Sequence, residues 1–218
     1  MGIRSVIVED DDFTRLMIAN SLVSQNVEVL ASCSGAVEAL DQINKLKPNL
    51  IVVDLHLGIG PTGLDIATEV RRSFPKIGVV FLTSYEDPRM LNPNLPELPF
   101  GSVYLHKRKV NEINVLMGAI NSAIDHKSWK AFSHSLKRTS NSVSSLSNAQ
   151  LETLRLMAQG LSNSEIAKRR FVTEKSVETS ISRLAKAMNL KSDPSINQRV
   201  HLAKVYFRAL SINPGEEN

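Results

Sequence analysis

A chain of 218 residues allows one large or two small domains, and its single cysteine, Cys33, excludes an intramolecular disulfide and points to a reducing, cytoplasmic setting. The formal net charge of +4 hides a division: residues 1–126 carry 11 basic and 15 acidic side chains, a net of −4, while residues 127–218 carry 15 and 7, a net of +8. No early apolar run escapes charge long enough to predict a signal peptide or a membrane helix, and neither a thiolate metal motif nor an internal repeat is present. An acidic half followed by a basic half suggests a receiving module joined to one that meets nucleic acid.

The first half alternates strand and helix patterns, which argues for βα units and a parallel sheet. Val6-Ile7-Val8 reads as a strand running into Glu9-Asp10-Asp11-Asp12. A helix follows, with Phe13, Leu16, Met17 and Asn20-Ser21-Leu22 suiting one apolar face, then a short strand at 27–31 and a helix from Ser34 to Leu46, ended by Pro48. Leu50-Ile51-Val52-Val53 is a run of four apolar residues, the mark of a central strand buried on both faces, and it ends in Asp54. Thr62-Gly63 opens a helix that Pro75 stops. Two further strands, 78–82 and 102–105, end beside Thr83-Ser84 and Lys107, and a helix from about Val110 to Lys127 closes the half. In open α/β sheets ligands gather at the carboxyl ends of strands, so carboxylates, a hydroxyl and an ammonium converge on one edge.

These ordered strand ends resemble the receiver domain of two-component response regulators over about residues 1–126. The resemblance implies a flavodoxin-like, doubly wound α/β fold with a five-stranded parallel sheet. It further implies that Asp54 accepts a phosphoryl group from a sensor histidine kinase. Glu9, Asp10 and Asp54, with Asp11 as an alternative and the backbone carbonyl of His56, would hold Mg²⁺. Thr83 and Lys107 would attend the phosphoryl oxygens, and Thr83 and Tyr104 would be the switch pair. Clustered carboxylates repel unless a cation neutralises them, which agrees with those roles.

Two stretches depart from the receiver pattern. The loop from Leu55 to Gly63 is rich in glycine but lacks a following Lys-Ser/Thr, so it is no phosphate-cradling P-loop. Between Thr83 and Lys107 stand Pro88, Pro93, Pro96 and Pro99, where a receiver places a helix. Each proline lacks a donor and clashes with the preceding turn, which predicts an ordered loop with at most one turn at 87–91. Arg108 follows Lys107, where many receivers have proline. The expected dimer surface accordingly moves to residues 102–126.

Residues 127–145 are polar and serine-rich, with Lys137-Arg138, and read as a linker whose beginning is anchored by Trp129 and Phe132. The basic half opens with a capping box, Ser147 to Gln150, on a helix that Gly160 caps. A short helix then starts within Leu161–Ala167 and a longer one within Phe171–Glu178, a helix-turn-helix layout. Ala158 to Ala167, then Val172 to Val177, resemble the DNA-binding domain of the LuxR/NarL family over about 146–210. The resemblance implies an all-α four-helix domain over 146–218, a homodimer on activation and control of transcription. Val177, Ile181, Leu184 and Met188 should face the core. Phosphate contacts fall to Lys168, Arg169, Arg170, Lys175 and Lys186, and Ser176, Glu178, Thr179, Ser182 and Arg183 complete the DNA face. Glu178 either accepts from a cytosine amino group or pairs with Lys175. On the last helix, from Pro194 to Leu210, Ile196, Val200, Ala203 and Phe207 form a stripe shared between core and dimer surface. The chain is read as a regulator rather than an enzyme. An aspartyl-phosphate phosphohydrolase is the rival class, but its usual second aspartate is His56 here. A regulator that no longer uses phosphate is the other.

Overall fold

Short aliphatic runs with β-branched side chains form five strands: β1 (Arg4–Val8), β2 (Glu28–Cys33), β3 (Leu50–Val53), β4 (Gly78–Thr83) and β5 (Val103–His106). They pair in parallel in the order β2-β1-β3-β4-β5. Every residue of β3 and β4 is buried, as their unbroken apolar runs require. Parallel neighbours need crossovers, and the helices α1 (Asp12–Val23), α2 (Ala36–Leu46), α3 (Gly63–Ser73) and α4 (Ile113–Ile124) accompany the sheet. α1 lies on β1 and β2, α4 on β3, β4 and β5, and α2 on β1, β2 and α3. The sheet is the predicted doubly wound one. Its order reverses between β1 and β3, which places a crevice at their carboxyl ends.

The computed structural model describes residues 2–92, 95–110, 112–125, 143–190 and 197–210. Trp129, Phe132, Lys137, Arg138, Pro194 and Ile196 lie outside them. The described chain forms two compact units, and neither is continuous in sequence. One holds Met1–Thr83 and Pro96–Leu136; the other holds Ser84–Leu95 and Lys137–Asn218. A sequence boundary at residue 126 kept 84–95 with the sheet, whereas its contacts join it to the helical unit.

Within the sheet unit, two expectations change. α1 turns Ile18 and Leu22 to the sheet, packed with Ile7, Leu50 and Val52. Phe13 is 72 % exposed, Leu16 57 % and Met17 49 %. Leu22 is buried as expected, whereas Phe13, Leu16 and Met17 lie on the opposite side of the 3.6-residue repeat, so the pattern joined two faces into one. α4 is also shorter than 110–127, because residues Lys107–Lys109 form a 3₁₀ turn before it. α3 begins as predicted, with Thr62 and Asp65 in a reciprocal capping box. Its first residue, Gly63, presses on the backbone: an added Cβ would lie 1.9 Å from the carbonyl oxygen of Asp54.

The second unit contains α5 (Asn148–Ala158), α6 (Asn163–Arg170), α7 (Glu174–Ala187) and α8 (Gln198–Ala209). Its core gathers Leu146, Leu151, Leu154, Ile166, Val177, Leu184 and Leu202, together with Met90 from the distant segment. That segment holds one 3₁₀ turn, Pro88–Met90, opened by Asp87, and no α-helix among its described residues. On α8 the core side is Leu202, Tyr206 and Ala209. Val200 is 52 % exposed, so the predicted 200/203/207 stripe lies mostly beside the core, with Phe207 packed partly against it.

Gly63→Ala tests how tightly α3 fixes the end of β3. Overpacking against backbone should cost at least about 1–3 kcal/mol in denaturant unfolding. Parental stability would mean that the Asp54 peptide moves freely.

Candidate functional site

The crevice at the carboxyl ends of β1 and β3 is where the predicted residues meet. Asp54 follows β3, and its N–H donates to the Val8 carbonyl at 2.9 Å. Glu9 follows β1, and its N–H donates to the Cys33 carbonyl at 3.0 Å. Both side chains are buried, at 7 % and 1 % exposure. Lys107 arrives from the end of β5, and its Nζ lies 2.7 Å from Asp54 Oδ2 and 2.8 Å from Glu9 Oε2. The turn that carries it is opened by His106, whose Nδ1 accepts from the Arg108 N–H at 3.0 Å.

Burial pushes the Glu9 carboxyl above its usual range; Lys107 opposes the shift and Asp54 adds to it. Burial alone would pull the Lys107 ammonium down, but Asp54 and Glu9 outweigh it and hold it above the ordinary lysine value. The lysine therefore stays charged between the two acids. Ligand oxygens of Glu9, Asp10 and Asp54 all lie within 4.8 Å of one another. Fully buried Glu9 Oε2 has the ammonium beside it but no donor in hydrogen-bond alignment. Three carboxylates against one ammonium leave a net negative, oxygen-rich site, and these residues fit a hard divalent cation. Asp11 is used otherwise: it caps α1, accepting from the Thr14 N–H at 2.7 Å. Hydrogen bonds from Thr14 hold its carboxyl below the usual range. His56 sits in the following loop, with its N–H 3.4 Å from Asp54 Oδ1. Gly58, at φ 72°, turns that loop past Asp10 without a side chain.

Thr83 is fully buried at the end of β4, in register with His106. Tyr104 on β5 is half-buried, its ring 6.4 Å from that of Phe81. Sequence reading passed over Arg15, whose guanidinium donates to the Glu9 carbonyl at 2.7 Å and pairs with Asp12. Only the Asp12–Arg15 spacing hinted at it.

The second cluster lies in the helical unit. Ser147 and Gln150 form the predicted capping box, Ser162 caps α6 and Thr173 caps α7. Val177, Ile181, Leu184 and Met188 are buried on α7, while Lys175, Ser176, Glu178, Thr179, Ser182, Arg183 and Lys186 are exposed. Lys175 pairs with Glu178 at 3.1 Å, one of the two arrangements expected of Glu178. Lys168 is exposed, and Arg169 pairs with Glu165 at 3.3 Å. Arg170, Lys175, Ser176, Thr179 and Arg183 line one concavity of about 580 Å³ with Ser147, Ala149 and Gln150 of the α5 start. Arg170 is tethered there by the hydroxyl of Thr153, a fully buried side chain that also meets Ser180 at 3.3 Å. A threonine within an apolar helical pattern gave no sign of this role. Arg199 ties α8 to the start of α6, donating to Asn163 Oδ1 and to the Leu161 carbonyl, each at 2.6 Å. Among the described residues, no helix is long and apolar enough to cross a membrane.

Two family models match the chain. The response regulator receiver domain matches residues 6–97, and the luxR family of bacterial regulatory proteins matches residues 144–200. The chain is 30% identical over 206 residues to the oxygen regulatory protein NreC of Staphylococcus aureus strain JH9, covering 88% of this chain and 93% of that one. It is 27% identical over 209 residues to NreC of Staphylococcus haemolyticus strain JCSC1435, covering 87% and 94%. Among solved structures, the complex of the two-component response regulator RcsB with DNA superposes with a TM-score of 0.58 at 19% identity, covering 96% of this chain and 99% of that one. RcsB from Salmonella enterica serovar Typhimurium, bound to the promoter rprA with the phosphomimetic BeF3-, gives 0.52 at 20%, covering 97% and 99%. At these identities the likeness to solved structures is one of fold.

Cys33, buried at the end of β2, gives a direct test of how well that end of the sheet is sealed. Burial pushes its thiol up to about 11. At pH 8 its thiolate fraction should be about two orders of magnitude below that of an ordinary thiol. Iodoacetamide should leave the folded protein unmodified and alkylate Cys33 on unfolding. Rapid labelling of the folded chain would show that the end of β2 opens.

Proposed function

Because the chain belongs to the family of two-component response regulators that join a receiver to a LuxR-type helix-turn-helix domain, we propose that it is a phosphorylation-controlled, DNA-binding transcription regulator of the cytoplasm. The observation that carries this reading is the Lys107 ammonium held between buried Asp54 and Glu9 at the reversal point of the sheet. In this reading a histidine kinase is the donor: Asp54 attacks phosphorus, an acyl-phosphate bond forms and the phosphohistidine P–N bond breaks. Oδ2 is held by Lys107, and Oδ1, with only the long His56 contact, is the oxygen that attacks. Mg²⁺ held by Glu9, Asp10, Asp54 and the His56 carbonyl would supply charge neutralisation for the incoming phosphoryl group. Lys107 then follows the new phosphoryl oxygens, and the Thr83 hydroxyl and Tyr104 ring answer them as the switch pair. The receiver role is assigned to residues 1–126, the linker to 127–145 and DNA binding to 146–218, with Ser84–Leu95 packed into the helical unit.

The DNA face is the concavity beside α7. Arg170, Lys175 and Arg183 bring positive charge to it, with Lys168, Arg169 and Lys186 on the same basic unit, and phosphate neutralisation dominates affinity for a duplex. Thr179 and Ser182 are the exposed α7 residues suited to base edges. Two copies would bind two half-sites, so a homodimer is the active form, with residues 102–126 as its receiver contact.

Incubation with Mg²⁺ and a small phosphodonor should add the mass of one phosphoryl group, and Asp54→Asn should abolish the gain. An unmodified parent chain after long exposure to several donors would favour the regulator that works without phosphate.

DNA affinity should fall steeply with salt, and Lys175→Ala or Lys186→Ala should weaken binding to every sequence and flatten the salt slope. Thr179→Ala should instead alter preference at one base pair by about 1–3 kcal/mol. Equal losses on all sequences for Thr179→Ala would remove it from base readout.

A further inference from the structure

The segment that departs furthest from the receiver pattern is built into the helical unit. Met90 is 4 % exposed within the core of that unit, and Tyr85 packs partly against the same core. The Glu86 N–H donates to the Ala209 carbonyl at 3.0 Å, at the end of α8. Arg89 makes the firmest attachment. Asp87 fixes its guanidinium, accepting from Nε at 3.0 Å and from Nη2 at 2.8 Å. Nη1 then donates to the Leu146 carbonyl at 2.8 Å and to Asn148 Oδ1 at 3.0 Å, and Nη2 donates to the Ser144 carbonyl at 3.1 Å. Leu146 and Asn148 bracket Ser147, the cap of α5, and Ser147, Ala149 and Gln150 form the wall of the DNA-facing concavity. At the other end, Ser84 is joined by one peptide bond to Thr83, the buried hydroxyl that ends β4.

We propose that residues 84–91 are the transmission element of this regulator, and that Arg89 is a positioning residue that sets the start of α5 against the DNA. This rests on the reading that Asp54 is phosphorylated. A shift of Thr83 toward a phosphoryl group pulls on Ser84, and the pull reaches Glu86 at the end of α8 and Arg89 at the start of α5. A regular helix at this place would be a separate body of the receiver. Here the chain after the switch hydroxyl is already part of the effector core. The rigid fork of arginine suits the task, because it grips an acid and three acceptors of the chain 144–148 in one plane. Packed elements change between discrete arrangements rather than deforming smoothly, so a small displacement at Ser84 has a definite outcome at α5.

The test uses the full chain as parent, Arg89→Ala and Met90→Leu, each with and without Mg²⁺ and a small phosphodonor. Mass reports the phosphoryl group. Anisotropy reports affinity for a labelled duplex selected from a random pool by the parent. Amide exchange reports residues 84–91 and 144–150. In the parent, phosphorylation should alter DNA affinity by roughly 5- to 150-fold and alter exchange in both segments. Arg89→Ala should take the phosphoryl group as the parent does, yet its affinity ratio should fall below about twofold. Met90→Leu conserves volume and should keep the parental ratio. A parental ratio in phosphorylated Arg89→Ala would overturn the proposal while leaving the phosphorylation reading intact. So would unchanged exchange at 84–91 and 144–150 in the phosphorylated parent, which decides the matter even if Arg89→Ala fails to fold. A parent that never gains the phosphoryl group would overturn both.

Discussion

The Lys107 ammonium is shared by two buried carboxylates, at 2.7 Å from Asp54 and 2.8 Å from Glu9. Two acids taken out of water side by side would repel each other, and an ammonium between them offsets that repulsion. The strand order makes that contact demanding. Lys107 starts from the edge strand β5, while its partners end β3 and β1, so the side chain must pass the end of β4. A long flexible stem with a compact charge is suited to this reach. The 3₁₀ turn capped by His106 and the glycine contact at Gly63 serve the same end, since they fix the two termini that the stem must join.

Much of this was legible because it depends on local chemistry. Strand ends, the helix start at Thr62, the capping box at Ser147, the buried stripe of α7 and the lack of an α-helix among the described residues of the proline-rich segment follow from short-range rules. What escaped depends on choices between equal patterns or on distant contacts. α1 carries two apolar sides, and only the sheet selects Ile18 and Leu22 over Phe13 and Leu16. Asp11 and Asp10 are neighbours of one type, and the Thr14 amide marks Asp11 as the helix cap while Asp10 stands in the carboxylate cluster. Thr153 reads as an ordinary helix residue until Arg170 is found upon its hydroxyl.

The two functional clusters are built by different physics. The acidic one sets two buried carboxylates, Glu9 and Asp54, beside the exposed Asp10, with ligand oxygens within 4.8 Å of one another. The basic one is exposed and broad, and Lys175 and Arg169 pair there with Glu178 and Glu165. Exposed pairs of this kind hold by less than about 1 kcal/mol, so a polyanion can displace them with little loss.

The discontinuous make-up of the helical unit also bears on how the chain is made. Met90 and Tyr85 leave the ribosome well before α8, yet their packing partners include residues near 206 and 209. At roughly 5–20 residues per second, the segment waits on the order of 10 s for its core to exist. During that interval the sheet can close around β4 and β5 while Tyr85 and Met90 stay uncovered. Late pairing across so much sequence also slows folding, because the loop must close before any contact rewards it. Pro88 lacks a backbone donor, and with the charges of Glu86, Asp87 and Arg89 it makes the waiting segment a poor partner for a stray strand.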